Sequence, residues 1–171
     1  MTTDLPIWLL DVDGVINASK PGWSSAPTAR MVYSASSGRE FKIRYAPALL
    51  ARIRRIHTDK LAEIRWCTTW CADAAELEKR LNLPEFGRAF TDPINGRAAA
   101  MAKLAAASQV LAEGRRLIWT DDSETPESGE LYERLTFDNR ALLIAPNPSR
   151  GLQPEDLDRI DAFLGVQEAA A

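Results

Sequence analysis

The chain has 171 residues, 46% hydrophobic and 26% charged, which suits one domain with a sizeable core and excludes a disordered or fibrous chain. The net charge is -3, with 9 Lys and Arg against 5 Asp and Glu in residues 1–60 and 12 against 19 in residues 61–171. With no dense Lys/Arg run, composition gives only a weak signal for nucleic acid. One histidine and two cysteines argue against a structural zinc site, and Cys67 and Cys71 read as reduced residues rather than a disulfide. Met1-Thr2-Thr3-Asp4 has no basic segment and Leu5 to Leu10 is too short for a signal or membrane span, so a cytoplasmic protein without membrane contact is expected.

The opening stretch Ile7-Trp8-Leu9-Leu10 is apolar without alternation, the pattern of a strand buried on both faces of a parallel sheet. It ends in Asp11-Val12-Asp13-Gly14, where the glycine allows a sharp turn that leaves two carboxylates at an open edge. Residues 18–30, rich in Ser, Pro and Gly, read as loop. Met31–Ser34 and Glu40–Tyr45 read as a hairpin around Ser36-Ser37-Gly38, so that residues 18–46 form a flap beside the site. Lys42 and Arg44 lie on its charged face, as substrate contacts or as solvated charges.

Pro47 opens a helix over 48–57 with Leu49, Leu50, Ile53 and Ile56 inward. His57, near its end, reads as structural. Residues 61–67 form the next strand, ending at Thr68-Thr69-Trp70. A threonine hydroxyl at such a junction can hold a phosphate oxygen or simply cap a helix, and Asp73 stands where a cap for helix 74–81 belongs. A short apolar piece at Arg88-Ala89-Phe90 leads to a loop with Asp92-Pro93 and Asn95-Gly96. The alanine-rich segment 97–113 is a strong helix, with Met101, Leu104 and Ala105 on one side and Val110 and Leu111 further on. Its Lys103 is the natural cation to reach a site at the sheet edge.

Arg115–Thr120 is a second buried strand that ends in carboxylates, Asp121 and Asp122. A short helix over 131–135, a strand over 141–145 stopped by Pro146-Asn147-Pro148, and a closing amphipathic helix over 154–164 complete the chain, with 167–171 as a frayed tail. Strands alternating with helices predict an α/β fold: a Rossmann-like three-layer sandwich around a central parallel sheet, one domain over residues 1–166. In a parallel sheet both acidic strand ends fall on the same side. Up to four carboxylates meeting there call for a hard divalent cation, and Mg2+ fits best because it takes oxygen ligands and shares phosphate with substrates.

These residues resemble the haloacid dehalogenase (HAD) superfamily of phosphotransferases. Asp11-Val12-Asp13-Gly14-Val15 is similar to its first motif, Thr68 to its second, Lys103 to its third and Asp121-Asp122 to its fourth, with Thr69 and Arg97 as the alternatives for the middle two. The resemblance implies Asp11 as nucleophile, forming an aspartyl phosphate, and Asp13 as general acid and then base. It implies Mg2+ held by Asp11, the main-chain carbonyl of Asp13, Asp121 and Asp122. Gly14, Thr68, Thr69 and Lys103 would contact substrate, with Thr68 and Lys103 also in the catalytic set. Neither usual place for a cap domain has room for one. An open site admits a large substrate such as a phosphorylated nucleic-acid end or nucleotide, on which Trp23 or Trp70 could stack, while closure by a second subunit of a homodimer over a small phosphoester is the other arrangement. The implied function is a Mg2+-dependent phosphomonoester hydrolase. Its rivals are a receiver-like signalling module, against which the order of the acidic residues counts, and a HAD-like fold that binds without turnover.

Overall fold

The computed structural model describes residues 5–166, so the expectation for the tail at 167–171 lies outside the described residues. Its elements are β1 (Ile7–Leu10), β2 (Thr28–Ser34), β3 (Arg39–Tyr45), α1 (Pro47–Thr58), β4 (Glu63–Trp66), a 3-10 turn (Cys71–Asp73), α2 (Ala74–Leu81), β5 (Gly87–Arg88), α3 (Gly96–Ala112), β6 (Leu117–Thr120), α4 (Gly129–Thr136), β7 (Ala141–Ile144) and α5 (Pro154–Leu164). Five strands form a parallel sheet in the order β5-β4-β1-β6-β7, and β2 and β3 pair separately as an antiparallel hairpin. This is the Rossmann-like α/β fold expected. The chain order turns back at β1, so ligands collect beyond the carboxyl ends of β1 and its neighbours.

β1 is buried at every position because both sheet faces are covered. Trp8 and Leu10, with Ile64, Trp66 and Ile118, pack on Leu49, Leu50, Ile53 and Ile56 of α1, Leu77 of α2 and Leu157 and Ile160 of α5. Ile7 and Leu9, with Leu117, Trp119 and Leu143, pack on Ala107 and Val110 of α3 and Leu135 of α4. The period-2 alternation of each strand thus divides one sheet between two helical layers. His57 lies in the last turn of α1 with its ring 5.2 Å from that of Phe86, and both cysteines are buried and free. Among the described residues no helix is long and apolar enough to cross a membrane.

Among the described residues no large cap is present. Between β1 and α1 the chain forms only the hairpin, and between β4 and α3 only the 3-10 turn, α2 and the two-residue β5. Two expectations need correction. The loop placed over residues 18–30 ends at Pro27, since Thr28, Ala29 and Arg30 pair with Tyr45, Arg44 and Ile43; cross-strand partners outweigh the local Ser/Pro/Gly composition there. Asp73 makes no side-chain cap on α2. It turns instead to the hairpin, accepting hydrogen bonds from the Ser34 hydroxyl at 2.8 Å, from the Ser36 N–H at 3.1 Å and from the Ser36 hydroxyl.

Burial raises the Asp73 carboxyl, but the hydrogen bonds from Ser36 and Ser34 outweigh it and hold the group below its ordinary 3.8. A carboxyl with a depressed folded value stabilises the fold above its unfolded value, and that contribution is lost as pH falls through the folded one. Asp73→Ala is therefore expected to cost about 1–3 kcal/mol and to speed hydrogen exchange at residues 34–37 more than elsewhere. In the wild type, NMR shifts of the same residues should move as pH drops below 3.8.

Candidate active site

Hydrogen bonding runs one residue beyond the strands. The Asp11 N–H donates to the Thr120 carbonyl at 3.1 Å, the Cys67 N–H to Leu10 at 2.9 Å and the Asp121 N–H to Ile144 at 3.2 Å. Because Leu10 is in register with both Trp66 and Thr120, residues 11, 67 and 121 form the next row across three neighbouring strands. Side chains in one row share a face, here the α3 face, where Cys67 joins the cluster around Ala107 and Val110. The carboxylates of Asp11 and Asp121 are thus brought side by side by sheet register.

The helix above supplies the cation. α3 buries Ala99, Lys103, Ala107 and Val110, whereas Met101 is 63% exposed. The face read from the sequence as Met101, Leu104 and Ala105 is corrected in part: Leu104 packs against the core but Met101 and Ala105 are exposed, because a helix with alanine on every side has little apolar contrast, and the buried stripe carries a lysine. Its small neighbours let the helix lie close, and Lys103 Nζ donates to Asp11 Oδ2 at 2.8 Å and to Asp121 Oδ2 at 2.7 Å. All three side chains are buried. The remaining oxygens are also engaged, Asp11 Oδ1 by the Val12 N–H at 2.7 Å and Asp121 Oδ1 by the N–H groups of Ser123 at 3.0 Å and Glu124 at 2.8 Å.

Burial and, next, the Asp121 charge push the Asp11 carboxyl up to about 7, Lys103 opposing them in part. Burial alone would lower the Lys103 pKa, but Asp11 and Asp121 outweigh it and hold the ammonium well above its usual value. Asp122, half-buried, is raised by burial and by Asp121. Its carboxylate lies against Gly14, where a Cβ would come within 2.3 Å of Asp122 Cγ. Gly14 (φ +73°) donates its N–H to the Asn17 carbonyl at 2.9 Å, so what it gives the site is a turn and a space.

Asp11, Asp121 and Asp122 each offer an oxygen within 4.8 Å of the others. An oxygen-only donor set with an excess of negative charge fits a hard divalent cation such as Mg2+. The Asp13 carboxylate stands outside this group: Oδ1 accepts from Asn17 Nδ2 at 2.7 Å and Oδ2 from the Trp70 indole N–H at 3.0 Å. Of Asp13, this leaves the main-chain carbonyl as the candidate ligand. Thr68 is fully buried with its hydroxyl accepting the Trp70 N–H at 3.3 Å, while Thr69 is exposed. Arg97, the alternative to Lys103, is exposed in the first turn of α3. Trp23 donates its indole N–H to the Leu152 carbonyl at 2.9 Å and packs on the core.

The sequence reading missed the roles of Asn17 and Trp70 in holding Asp13. No short-range pattern announces them, since Trp70 is 57 residues away in the chain. The fold and its acidic, lysine-bridged sheet edge define a HAD-like α/β domain. The chain belongs to the family described as the HAD domain in Swiss Army Knife RNA repair proteins, whose model matches residues 7–157. Comparison with curated proteins and with solved structures finds no match.

Lys103→Met leaves two buried carboxylates without their cation and is expected to cost about 3–5 kcal/mol in chelator. A carboxyl raised to about 7 when folded makes stability fall as pH rises from its ordinary 3.8 toward 7. Asp11→Asn should flatten that fall, measured by urea unfolding in chelator across the same range.

Proposed function

We propose that the chain is a Mg2+-dependent phosphohydrolase that removes a terminal phosphate from RNA through an aspartyl phosphate on Asp11. The observation that carries this reading is the meeting of Asp11, Lys103, Asp121 and Asp122 from three separate elements at one sheet edge. A buried acidic cluster with a single ammonium is unfavourable as mere scaffold and suited to a phosphoryl group plus a cation.

Mg2+, held by Asp11, the Asp13 carbonyl, Asp121 and Asp122, would neutralise phosphoryl oxygens and favour the ionised form of Asp11. An Asp11 oxygen attacks phosphorus as the bond to the leaving oxygen breaks, and Asp13 gives its proton to that oxygen. Asp13 then takes a proton from the water that attacks the aspartyl phosphate, freeing Asp11 and inorganic phosphate. Lys103 holds Asp11 in place and offsets charge on the phosphoryl oxygens, and the Thr68 hydroxyl, with Thr69 beside it, contacts them. One such group is worth about 3 kcal/mol in the transition state.

RNA as substrate is favoured by the family's description and by the lack of a large cap among the described residues, which leaves room for a polymer at the sheet edge. Cytoplasmic residence and action as a monomer or homodimer complete the reading. The test is release of phosphate from end-phosphorylated oligoribonucleotides. Turnover should require Mg2+ and fall by more than about a thousandfold in Asp11→Asn, as expected for loss of a covalent nucleophile; equal activity in both proteins defeats the assignment. Since the Asp11 carboxyl is raised to about 7 without metal, Mg2+ binding should release a proton below that pH. Calorimetry in two buffers of different ionisation enthalpy reads this proton directly.

A further inference from the structure

Next to Asp13 lies a cavity of about 290 Å3 between the hairpin and the Pro93–Asn95 loop. Its walls include Phe41 of β3, Trp70, Ser36, Asp73, Asn95 and Asp13 itself. We propose that this cleft is the subsite for the nucleoside that carries the scissile phosphate, with the base stacked on the Phe41 ring. The inference rests on the hydrolase reading for the position of the phosphate and specifies the leaving group.

In phosphoryl transfer the attacking and leaving oxygens lie roughly in line on opposite sides of phosphorus. Asp11 stands on one side, and the acid toward the leaving oxygen is Asp13, so whatever that oxygen is attached to extends into the space Asp13 borders. That space is the cleft. Its volume is at the low end of small-molecule pockets, room for one nucleoside and not for a duplex or a folded protein.

The chemistry of the walls narrows the occupant further. Phe41 and Trp70 meet at 81° with ring centroids 5.5 Å apart, so they do not stack on each other, and Phe41 stays 40% exposed. An exposed ring beside hydroxyl and amide groups suits a flat heterocycle on a sugar. Among the described residues no lysine or arginine lines the cleft, while two carboxylates do, which disfavours a second phosphate inside the cleft itself, as a nucleoside polyphosphate would place there, and leaves the rest of an RNA chain to the open space beyond it. The flap's cations, Lys42 and Arg44, open instead onto a separate hollow of about 330 Å3 with Asn17 and Ser19. The wall is also preformed, because Asp73 pins the hairpin through Ser34 and Ser36, so little ordering is left to binding.

Hydrolysis by wild type, Phe41→Ala and Phe41→Tyr is compared on adenosine 3′- and 5′-monophosphates and on glycerol 2-phosphate, whose leaving group has no ring. In Phe41→Ala the ratio of kcat/KM for the nucleotide over glycerol 2-phosphate should fall about tenfold through KM, the scale of one lost base–aromatic stack. Phe41→Tyr should restore it, and the better of the two nucleotides identifies the end used. An unchanged ratio overturns the subsite and leaves the hydrolase reading standing. Adenosine, which carries no phosphate, is also titrated into the wild-type protein while the Trp70 indole N–H resonance is followed by NMR. A saturable shift that weakens in Phe41→Ala supports the subsite even in a protein that hydrolyses nothing, and no shift up to millimolar adenosine overturns it.

Discussion

The Lys103 ammonium sits between two carboxylates that the parallel register forces side by side, and the rest of the site follows from that contact. Asp11 and Asp121 occupy one row of the sheet, buried, so without a cation their repulsion and desolvation would drive one of them to take up a proton. One ammonium does not balance three carboxylates. Asp11 remains raised to about 7 and Asp122 is raised as well, so the cluster is built for more positive charge than the chain supplies. Helix α3 serves this balance: Ala99 and Ala107 on either side of Lys103 let the backbone approach the sheet closely enough for the amine to bridge two strands.

That balance also explains what could be read from the sequence. The strands ending at Leu10 and Thr120 were legible because buried apolar runs that stop at acidic residues are rare and local, and a parallel sheet places such ends together. Helix α2 is found over the residues expected and α5 over 154–164, since apolar period and Pro or Gly punctuation agreed there. The buried face of α3 was legible only in part: Lys103 and Val110 were picked out, but an alanine-rich helix gives the period little to act on, and Met101 and Ala105 prove to be exposed. The same holds for Asp73. As a residue before a helix it matched a cap, but its partners Ser34 and Ser36 come from 37 to 39 residues earlier, beyond any local rule.

The hairpin occupies the place where other arrangements would have a lid, and its attachment is chemical rather than only steric. Phe41 touches the Trp70 ring, Trp70 donates to Asp13, and Asp73 at the head of α2 ties the hairpin tip back to the same region. The orientation of Asp13 and the position of the hairpin therefore share one set of contacts. Displacing either disturbs the other, which gives the hairpin influence over the Asp13 carboxylate that no direct bond between them provides.

A wall fixed on one side has consequences for selectivity. A lid encloses its substrate and limits size in every direction, whereas this hairpin and the Pro93–Asn95 loop limit only what lies immediately beyond Asp13. On the proposed reading, discrimination falls on the group attached to the leaving oxygen, while the space farther out is left to solvent and to the remainder of a polymer. Water has the same access, and for the proposed hydrolysis this is no defect, because water is the second reactant. The demand that the proposed mechanism leaves on the protein is that Asp13 be held where both the leaving oxygen and the incoming water can meet it. Two donors from different elements, Asn17 and Trp70, do that for a carboxylate that is otherwise exposed.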